Sequence, residues 1–255
     1  MMDAVVLAGG VDTGEIAVET GISNRALLDI NGRTIIHRVV AALRGASEID
    51  NVALVAPPPV QAAVTDDAVD FRVEAGDSFV GNIAAGVGAT APGTEKVLIL
   101  TSDAPFVTPA AINDFVRQSL LSRAEVAYSI IPQESCERSF PGGRRTYVRL
   151  REGVFTGGNA VMLSRDFVHR QRDLIEHLYA GRKNPLRLAS LFGLSFIVGL
   201  LTHRLTLPQL EAKASHVVNA RVAAIITNYA EIGFDVDKLD DLYLARRVAA
   251  SFDGS

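Results

Sequence analysis

Three aspartates stand where predicted strands end or where the last predicted helix begins. Asp103 follows the apolar run Lys96–Thr101, and Asp235 and Asp237 precede a helix predicted from Leu239 onward. Mg²⁺ and Mn²⁺ favour oxygen ligands, and such sites commonly combine one or two carboxylates with substrate phosphates. The three residues therefore predict a cation that neutralises charge during phosphoryl or nucleotidyl transfer. Taken singly, Asp103 also fits a loop or cap position, and Asp237 also fits the N-cap of the last helix.

A glycine turn after the first predicted strand indicates a second part of the same site. The apolar run at residues 4–7 is followed by Ala8, Gly9 and Gly10. Glycines let a ligand lie directly on the backbone, and α/β folds bind nucleotides at the carboxyl ends of their strands. An ordinary strand and turn without a ligand is the alternative interpretation.

Basic residues that could contact phosphate groups occur in three places. Arg25 ends a polar segment, residues 11–24, that is too long for a routine connection between a strand and a helix. Arg144 and Arg145 precede a strand of the second half, and Lys183 lies in a later helical stretch. A solvated surface position is the alternative for the arginines. The histidines and the single cysteine show no ligand or triad spacing, so nucleophilic catalysis is not supported.

The composition limits the class of protein and its partners. The chain has 255 residues, of which 48% are apolar and 21% charged, which is typical of a globular protein with a large aliphatic core. A net charge of −4 argues against nucleic acid as a partner. A single cysteine fits a reducing compartment, and the N-terminus lacks the basic region of a signal peptide, so we expect a cytoplasmic protein.

Apolar runs alternate between strand-like and helix-like patterns through residue 131. This βαβαβαβαβ order predicts a mostly parallel sheet with crossover helices, an α/β fold. Strands follow near residues 146–163 and 220–226, with a mainly helical insertion at about 165–217 and a final helix. Without an internal repeat or a low-complexity linker, residues 1–255 are predicted to form a single domain.

The apolar run Leu188–Leu201 lies inside this insertion. It is shorter than the roughly 18–20 residues that span a bilayer, so no transmembrane segment is expected. A helix in the core or in a homodimer contact is the main interpretation, and contact with a membrane surface is the alternative.

Four segments, in order along the chain, resemble the MobA-like nucleoside triphosphate transferases. They cover about residues 3–164 and 218–250. The segments are Leu7-Ala8-Gly9-Gly10 with Asn24–Gly32, the Ser102-Asp103-Ala104-Pro105 region, Gly158-Asn159, and Asp235-Val236-Asp237-Lys238-Leu239-Asp240-Asp241-Leu242.

The resemblance implies a GT-A-like, Rossmann-type fold and a role for each motif. It places Mg²⁺ on Asp103 and Asp237, with Asp235 as a further candidate ligand. The nucleotide would lie on Leu7, Ala8, Gly9 and Gly10, with its base or ribose near Gly76, Asp77, Ser78 and Asn82. Gly158 and Asn159 would form the acceptor strand, with Arg144, Arg145 and Lys183 as candidate contacts to an anionic acceptor.

The implied reaction moves a nucleoside monophosphate from a nucleoside triphosphate to a phosphorylated small molecule, with release of pyrophosphate. The family commonly carries a basic residue soon after the glycine turn, whereas here Val-Asp-Thr-Gly-Glu follows Gly10. Arg25, in place of the usual lysine, would then hold the phosphates. A catalytically inactive nucleotide-binding regulator, a GT-A glycosyltransferase that uses a nucleotide-sugar, and a scaffold without a ligand are the alternatives.

Overall fold

A mixed β-sheet forms the centre of the fold in the computed structural model, which describes residues 2–181 and 202–252. Its eight strands are β1 (Met2–Leu7), β4 (Ile49–Ala56), β5 (Phe71–Glu74), β6 (Lys96–Thr101), β7 (Val126–Pro132), β8 (Val148–Leu150), β9 (Gly153–Ser164) and β10 (Val222–Ile226). A separate hairpin joins β2 (Asp29–Ile30) and β3 (Arg33–Thr34). Asn31 and Gly32, both with positive φ, form its turn.

The helices connect these strands and cover both faces of the sheet. They are α1 (Glu15–Thr20), α2 (Ile35–Gly45), α3 (Pro58–Ala62), α4 (Phe79–Ala89), α5 (Pro109–Ser122), α6 (Gln133–Ser139), α7 (Arg165–Arg170), α8 (Arg172–Gly181), α9 (Leu207–Val218) and α10 (Leu239–Phe252). Short 3₁₀ turns occur at Arg25–Leu27, Asp66–Ala68 and Ala230–Gly233.

The strand order confirms the predicted α/β class with a mostly parallel sheet. The order is β5-β4-β1-β6-β9-β7-β10, with β8 paired to β9. Strands β5, β4, β1 and β6 are mutually parallel, as are β7 and β10. Strand β9, which follows residue 131 in the chain, runs antiparallel between β6 and β7, so the sheet is mixed.

Part of the predicted insertion can be described. Helices α7, α8 and α9 confirm its helical character at residues 165–181 and 207–218. Lys183 and the apolar run Leu188–Leu201 lie outside the described residues, and a homodimer contact stays a prediction. A single domain over residues 1–255 also stays a prediction. Among the residues that the structure describes, no helix is long and apolar enough to cross a bilayer.

Strand β1 is buried on both faces because it lies in the middle of the sheet. Its residues alternate between two apolar clusters, with Ala4 and Val6 in one and Val5 and Leu7 in the other. Helix α4 covers the second face, where Ile83 and Val87 pack into the same cluster. The small residues of α4 allow this helix to approach the sheet closely.

Gly86 lies where α4 packs most closely on the sheet, so a larger residue there should destabilise the protein. A Cβ at Gly86 would lie 2.4 Å from Val5 Cγ1 and 2.8 Å from Val55 Cγ2. We expect Gly86→Ala to lower the free energy of unfolding by about 1–3 kcal/mol, since overpacking outweighs the helix propensity gained. Urea unfolding of the purified variant measures this change.

Gly88→Ala in the same helix is the matched control. Gly88 is exposed, and a Cβ there meets no heavy atom within 4 Å. We expect this variant to gain about 0.5–1 kcal/mol, because alanine favours the helix. Equal effects of the two substitutions would contradict the close contact at Gly86.

Candidate functional site

The three predicted carboxylates meet at one edge of the sheet. One oxygen each of Asp103, Asp235 and Asp237 lies within 4.8 Å of the others. The backbone N–H of Val236 donates a hydrogen bond to the carbonyl oxygen of Asp103 at 3.0 Å, which joins the two segments. Val236 is fully buried, so the alternating Asp-Val-Asp sequence directs both aspartates to the opposite side. We refer to Asp103, Asp235 and Asp237 as the carboxylate cluster.

Helix α10 fixes the position of this segment from its own first turn. The carboxylate of Asp241 accepts hydrogen bonds from the backbone N–H groups of Asp237, at 3.2 Å, and Lys238, at 3.0 Å. Such a contact satisfies N–H groups that a helix leaves unpaired at its start. The backbone of the carboxylate cluster is therefore held in place without using the cluster's own side chains.

Burial and mutual repulsion raise the pKa values of the carboxylate cluster. Burial raises the pKa of Asp103. For Asp235, burial and the nearby charges of Asp103 and Asp237 outweigh the Arg145 guanidinium and raise the pKa to about 7. Asp103 Oδ1 is buried and, within the described residues, accepts no hydrogen bond. A buried oxygen without a partner, beside two further carboxylates, fits a site for a hard divalent cation.

Arg145 supports the carboxylate cluster from one side. Its two terminal nitrogens donate to the Asp235 carboxylate and to the Asp235 carbonyl oxygen. Its guanidinium also lies 4.9 Å from the centre of the Phe234 ring, a cation–π arrangement. Arg145, predicted as a contact to the acceptor, therefore has its terminal nitrogens engaged by Asp235.

Arg25 supports the carboxylate cluster from the other side. Its Nε donates to Asp12 Oδ2 at 3.0 Å, and its Nη1 forms an ion pair with Asp237. Asp12 is fixed in turn by the backbone N–H of Gly14, at 2.7 Å, and its pKa is lowered because hydrogen bonds from Gly14 and Arg25 outweigh burial. The acidic segment that follows the glycine turn thus holds the arginine that is predicted to contact phosphate.

The glycine turn is packed on one side and open on the other. A Cβ at Gly9 would lie 2.8 Å from Ala75 Cβ and 2.9 Å from Asn82 Nδ2, whereas a Cβ at Gly10 would meet nothing within 4 Å. Asn82 also bridges the N–H and carbonyl groups of Gly76, at 2.8 and 3.1 Å. The end of β1 is thereby fixed against the segment that follows β5, and Gly10 is left facing open space.

Two cavities flank the carboxylate cluster. The first, here called the glycine-side cavity, has a volume of about 930 Å³. It is lined by Leu7, Gly9, Gly10, Val11, Asp12, Asn24, Arg25, Gly76, Asp77, Phe79, Asn82, Thr101, Ser102, Asp103, Tyr179, Asp237 and Lys238. Among these are four carboxylates and two cations, a balance that favours an anionic ligand only when it arrives with a cation.

The second, the arginine-side cavity, has a volume of about 610 Å³. It is lined by Tyr128, Gly142, Gly143, Arg144, Arg145, Thr146, Thr156, Gly157, Gly158, Asn159, Gly233, Asp235, Asp237, Lys238, Asp240, Asp241, Tyr243, Leu244 and Arg247. Asp237 and Lys238 line both cavities. A ligand in each cavity would therefore meet the other ligand beside these two residues.

Most of the predicted site residues line one of the two cavities. The glycine-side cavity contains Leu7, Gly9, Gly10, Arg25, Gly76, Asp77, Asn82, Asp103 and Asp237, and the arginine-side cavity contains Arg144, Arg145, Gly158, Asn159 and Asp235. Two predicted residues do not line either cavity. Ala8 is buried and bound through its carbonyl oxygen to Asn24, while Ser78 caps α4 and donates to the Glu176 carboxylate. Lys183 lies outside the described residues.

Four residues of these cavities have roles that the sequence did not suggest. In the sequence, Asp12 belongs to the acidic segment after the glycine turn, and Lys238 belongs to the last motif. Phe79 and Tyr179 both line the glycine-side cavity, although they are 100 positions apart in the sequence. The position of Lys238 directly after Asp237 could have indicated its role. No local sequence pattern connects Asp12 with Arg25, or Phe79 with Tyr179.

Comparisons with known proteins agree with this fold. The family model for the MobA-like NTP transferase domain matches residues 4–216, so the chain belongs to this family. A hypothetical transferase structure from Thermus thermophilus is 31% identical, with a TM-score of 0.82, over 95% of this chain and 100% of that one. No curated protein matches the chain in sequence.

Two more distant structures share the fold. A CMP:2-keto-3-deoxy-manno-octonic acid synthetase in complex with CTP is 14% identical, with a TM-score of 0.64, over 98% of each chain. A Mycobacterium tuberculosis protein in complex with manganese is 19% identical, with a TM-score of 0.54, over 98% of each chain.

The raised pKa of Asp235 predicts how the metal-free protein responds to pH. The folded-state pKa of about 7 lies above the ordinary value of 3.8, so this group lowers the free energy of unfolding as the pH rises from 3.8 to about 7. We expect the melting temperature of Asp235→Asn, which resembles the protonated acid, to match that of the wild type near pH 4, and to exceed it by an amount that grows up to about pH 7 and stays constant above that pH. Thermal unfolding in the presence of a chelator measures this difference.

Asp240→Asn serves as the control, because Asp240 is exposed and lies outside the carboxylate cluster. The difference in melting temperature between Asp240→Asn and the wild type should not grow with pH. A constant difference in melting temperature between Asp235→Asn and the wild type from about pH 4 to 7 would show that the pKa of folded Asp235 is not raised.

Proposed function

We propose that this protein is a Mg²⁺- or Mn²⁺-dependent nucleotidyltransferase that moves a nucleoside monophosphate to a phosphorylated small molecule. The observation that carries the proposal is the meeting of two cavities at Asp237 and Lys238, beside the carboxylate cluster. Transfer of a group between two bound ligands requires two adjacent binding cavities, so that the reacting atoms can meet. Membership of the MobA-like NTP transferase family supports the same reaction class.

The nucleoside triphosphate is assigned to the glycine-side cavity. Gly10 leaves its backbone accessible there, and backbone N–H groups can bind phosphate oxygens without a side chain. Arg25 and Lys238 are the cations that line this cavity. A distant structural relative was solved with CTP, which supports a nucleotide as the ligand.

The carboxylate cluster is the part of the chain that would hold the metal ion. When bound there, the ion would supply positive charge that neutralises the negative charge developing on the phosphates during transfer. Asp103 Oδ1, buried without a partner among the described residues, is suited to this role. The manganese complex of a distant relative supports a divalent cation in this fold.

The acceptor is assigned to the arginine-side cavity. Arg144 and Arg247 are exposed cations there, and Lys238 lines this cavity as well as the glycine-side cavity. An oxygen of the acceptor phosphate attacks the α-phosphorus, the bond from this phosphorus to the bridging oxygen breaks, and pyrophosphate leaves. Positioning and charge neutralisation are sufficient for such a reaction.

One observation favours a second candidate, a nucleotide-binding regulator without turnover. Arg25 is paired with both Asp12 and Asp237, so its charge is neutralised before any phosphate arrives. Such a regulator would bind a nucleoside triphosphate in the glycine-side cavity but release no pyrophosphate with any acceptor.

Thermal stabilisation by the four nucleoside triphosphates, with and without Mg²⁺, tests nucleotide binding. A ligand at 100 times its dissociation constant adds about 2.7 kcal/mol, which is readily measured. We expect a shift that depends on the base and on Mg²⁺ and that Asp103→Asn abolishes. Asp240→Asn should retain the shift, and the absence of any shift at millimolar nucleotide would contradict the proposal.

Lys238 provides the test of transfer itself. Its ammonium group has no hydrogen-bond or ion-pair partner within residues 2–181 and 202–252, and it lines both cavities. We expect Lys238→Met to lower kcat about 100-fold, as for the loss of one group that stabilises developing charge. Pyrophosphate release from each nucleoside triphosphate, with a panel of phosphorylated sugars, polyols and pterins, measures the rate.

The conservative variant and a remote variant complete this test. Lys238→Arg should restore part of the rate, and nucleotide affinity should change less than about threefold in Lys238→Met, since the effect is on the transition state. Lys213→Met, on α9 and away from both cavities, should behave as the wild type. An unchanged kcat in Lys238→Met would remove Lys238 from the transfer step.

A further inference from the structure

Two aromatic rings from distant parts of the chain stack at the wall of the glycine-side cavity. Phe79 is the first residue of α4, and Tyr179 belongs to α8 in the helical insertion. Their ring centres are 4.3 Å apart with an angle of 8° between the planes, and both residues line the cavity. The Glu176 carboxylate on α8 also accepts a hydrogen bond from Ser78 Oγ, at 2.9 Å. Helix α8 is thus held against the start of α4 by an aromatic contact and a polar one.

The order of the strands places this aromatic pair far from the carboxylate cluster. Asp103 follows β6, the glycine turn follows β1, and Phe79 comes shortly after β5. Strands β6, β1, β4 and β5 are neighbours in that order, and adjacent strands are about 4.8 Å apart, so β6 and β5 are separated by about 14 Å. A ligand whose phosphates lie at the carboxylate cluster therefore extends across the glycine turn toward the end of β5.

The chemistry of the wall changes along this direction. Carboxylates and Arg25 surround the end near β6, whereas Phe79 and Tyr179 are the two aromatic residues that line the cavity. Nucleobases pack favourably on aromatic side chains, and this contact tolerates any base because each has a π-face. Since the two rings are in contact with each other, a base would pack against the side of the pair that faces the cavity.

We propose that Phe79 and Tyr179 form the wall against which the nucleotide base packs, so that helix α8 of the insertion completes the donor site. This inference rests on the proposed binding of a nucleoside triphosphate in the glycine-side cavity. It adds that the insertion takes part in nucleotide binding through Tyr179, which completes the wall with Phe79 of α4. Asp77, two positions before Phe79, is exposed and lines the same cavity.

The test compares ligands with and without a base. Isothermal titration in Mg²⁺ measures the affinity of the wild type and of Tyr179→Ala for each nucleoside triphosphate and for inorganic tripolyphosphate. We expect Tyr179→Ala to weaken nucleoside triphosphate binding about tenfold or more, and tripolyphosphate binding less than about twofold. Tyr179→Phe, which keeps the ring, should bind both as the wild type does. Tyr243→Ala, in the arginine-side cavity, is the control for loss of a tyrosine at the site.

A second variant reports on the base directly. The chain contains no Trp, so Phe79→Trp introduces a single indole at the proposed wall. We expect its fluorescence to change on addition of a nucleoside triphosphate and not on addition of tripolyphosphate. Equal responses to the two ligands, or equal losses of both affinities in Tyr179→Ala, would overturn the inference. A wild type that binds no nucleoside triphosphate would instead overturn the proposed function.

Discussion

Repulsion among three carboxylates at close range is the constraint around which the rest of this site is arranged. Oxygens of Asp103, Asp235 and Asp237 lie within 4.8 Å of one another, and burial of two of them raises their pKa values. The free energy that this proximity costs is offset only in part by arginines, with Arg25 on one side and Arg145 on the other. Backbone contacts fix the two segments that carry the aspartates, so the repulsion is not relieved by separating these segments. A site under this constraint binds a divalent cation more readily than one whose carboxylates are already satisfied.

The antiparallel strand β9 makes this arrangement possible. Because β9 lies between β6 and β7, those two strands run in the same direction and their carboxyl ends reach the same edge of the sheet. The segment after β10 crosses this edge through the turn Ala230–Gly233, whose Ile232 carbonyl accepts a hydrogen bond from Asn159 on β9 at 3.0 Å. A Cβ at Gly158 would lie 2.9 Å from Ile232, so the glycine lets the turn pack on the strand. The path that brings Asp235 to Asp103 thus depends on β9.

Much of the fold could be predicted because its signals are local. Short stretches of sequence are enough to indicate a buried strand such as β6, and also the paired aspartates before α10. The α/β class then predicts that the residues after such strands lie at one edge of the sheet. The position of β9 could not be read, since an apolar run does not say which neighbours it pairs with or in which direction. The same limit applies to Asp12 with Arg25 and to Phe79 with Tyr179, whose contacts arise only when separate segments pack. Ser78 shows the converse: a residue in a matching motif can serve a helix cap and a neighbouring helix.

The acidic segment after the glycine turn can be reconciled with phosphate binding through the geometry of Arg25. Asp12 engages Nε, while Nη1 reaches Asp237. The guanidinium is rigid and planar, so its pair with Asp12 through Nε fixes its orientation. This pair leaves the two terminal nitrogens, Nη1 and Nη2, for other contacts. Were Asp237 to help hold a cation, Nη1 of Arg25 would be left to face the glycine-side cavity, while Nε would stay paired with Asp12. In this arrangement the acidic residue that follows the glycine turn would keep Arg25 directed at the phosphates of the proposed ligand. Because Arg25 is 30% exposed, its pairing with Asp237 is weak enough to be exchanged.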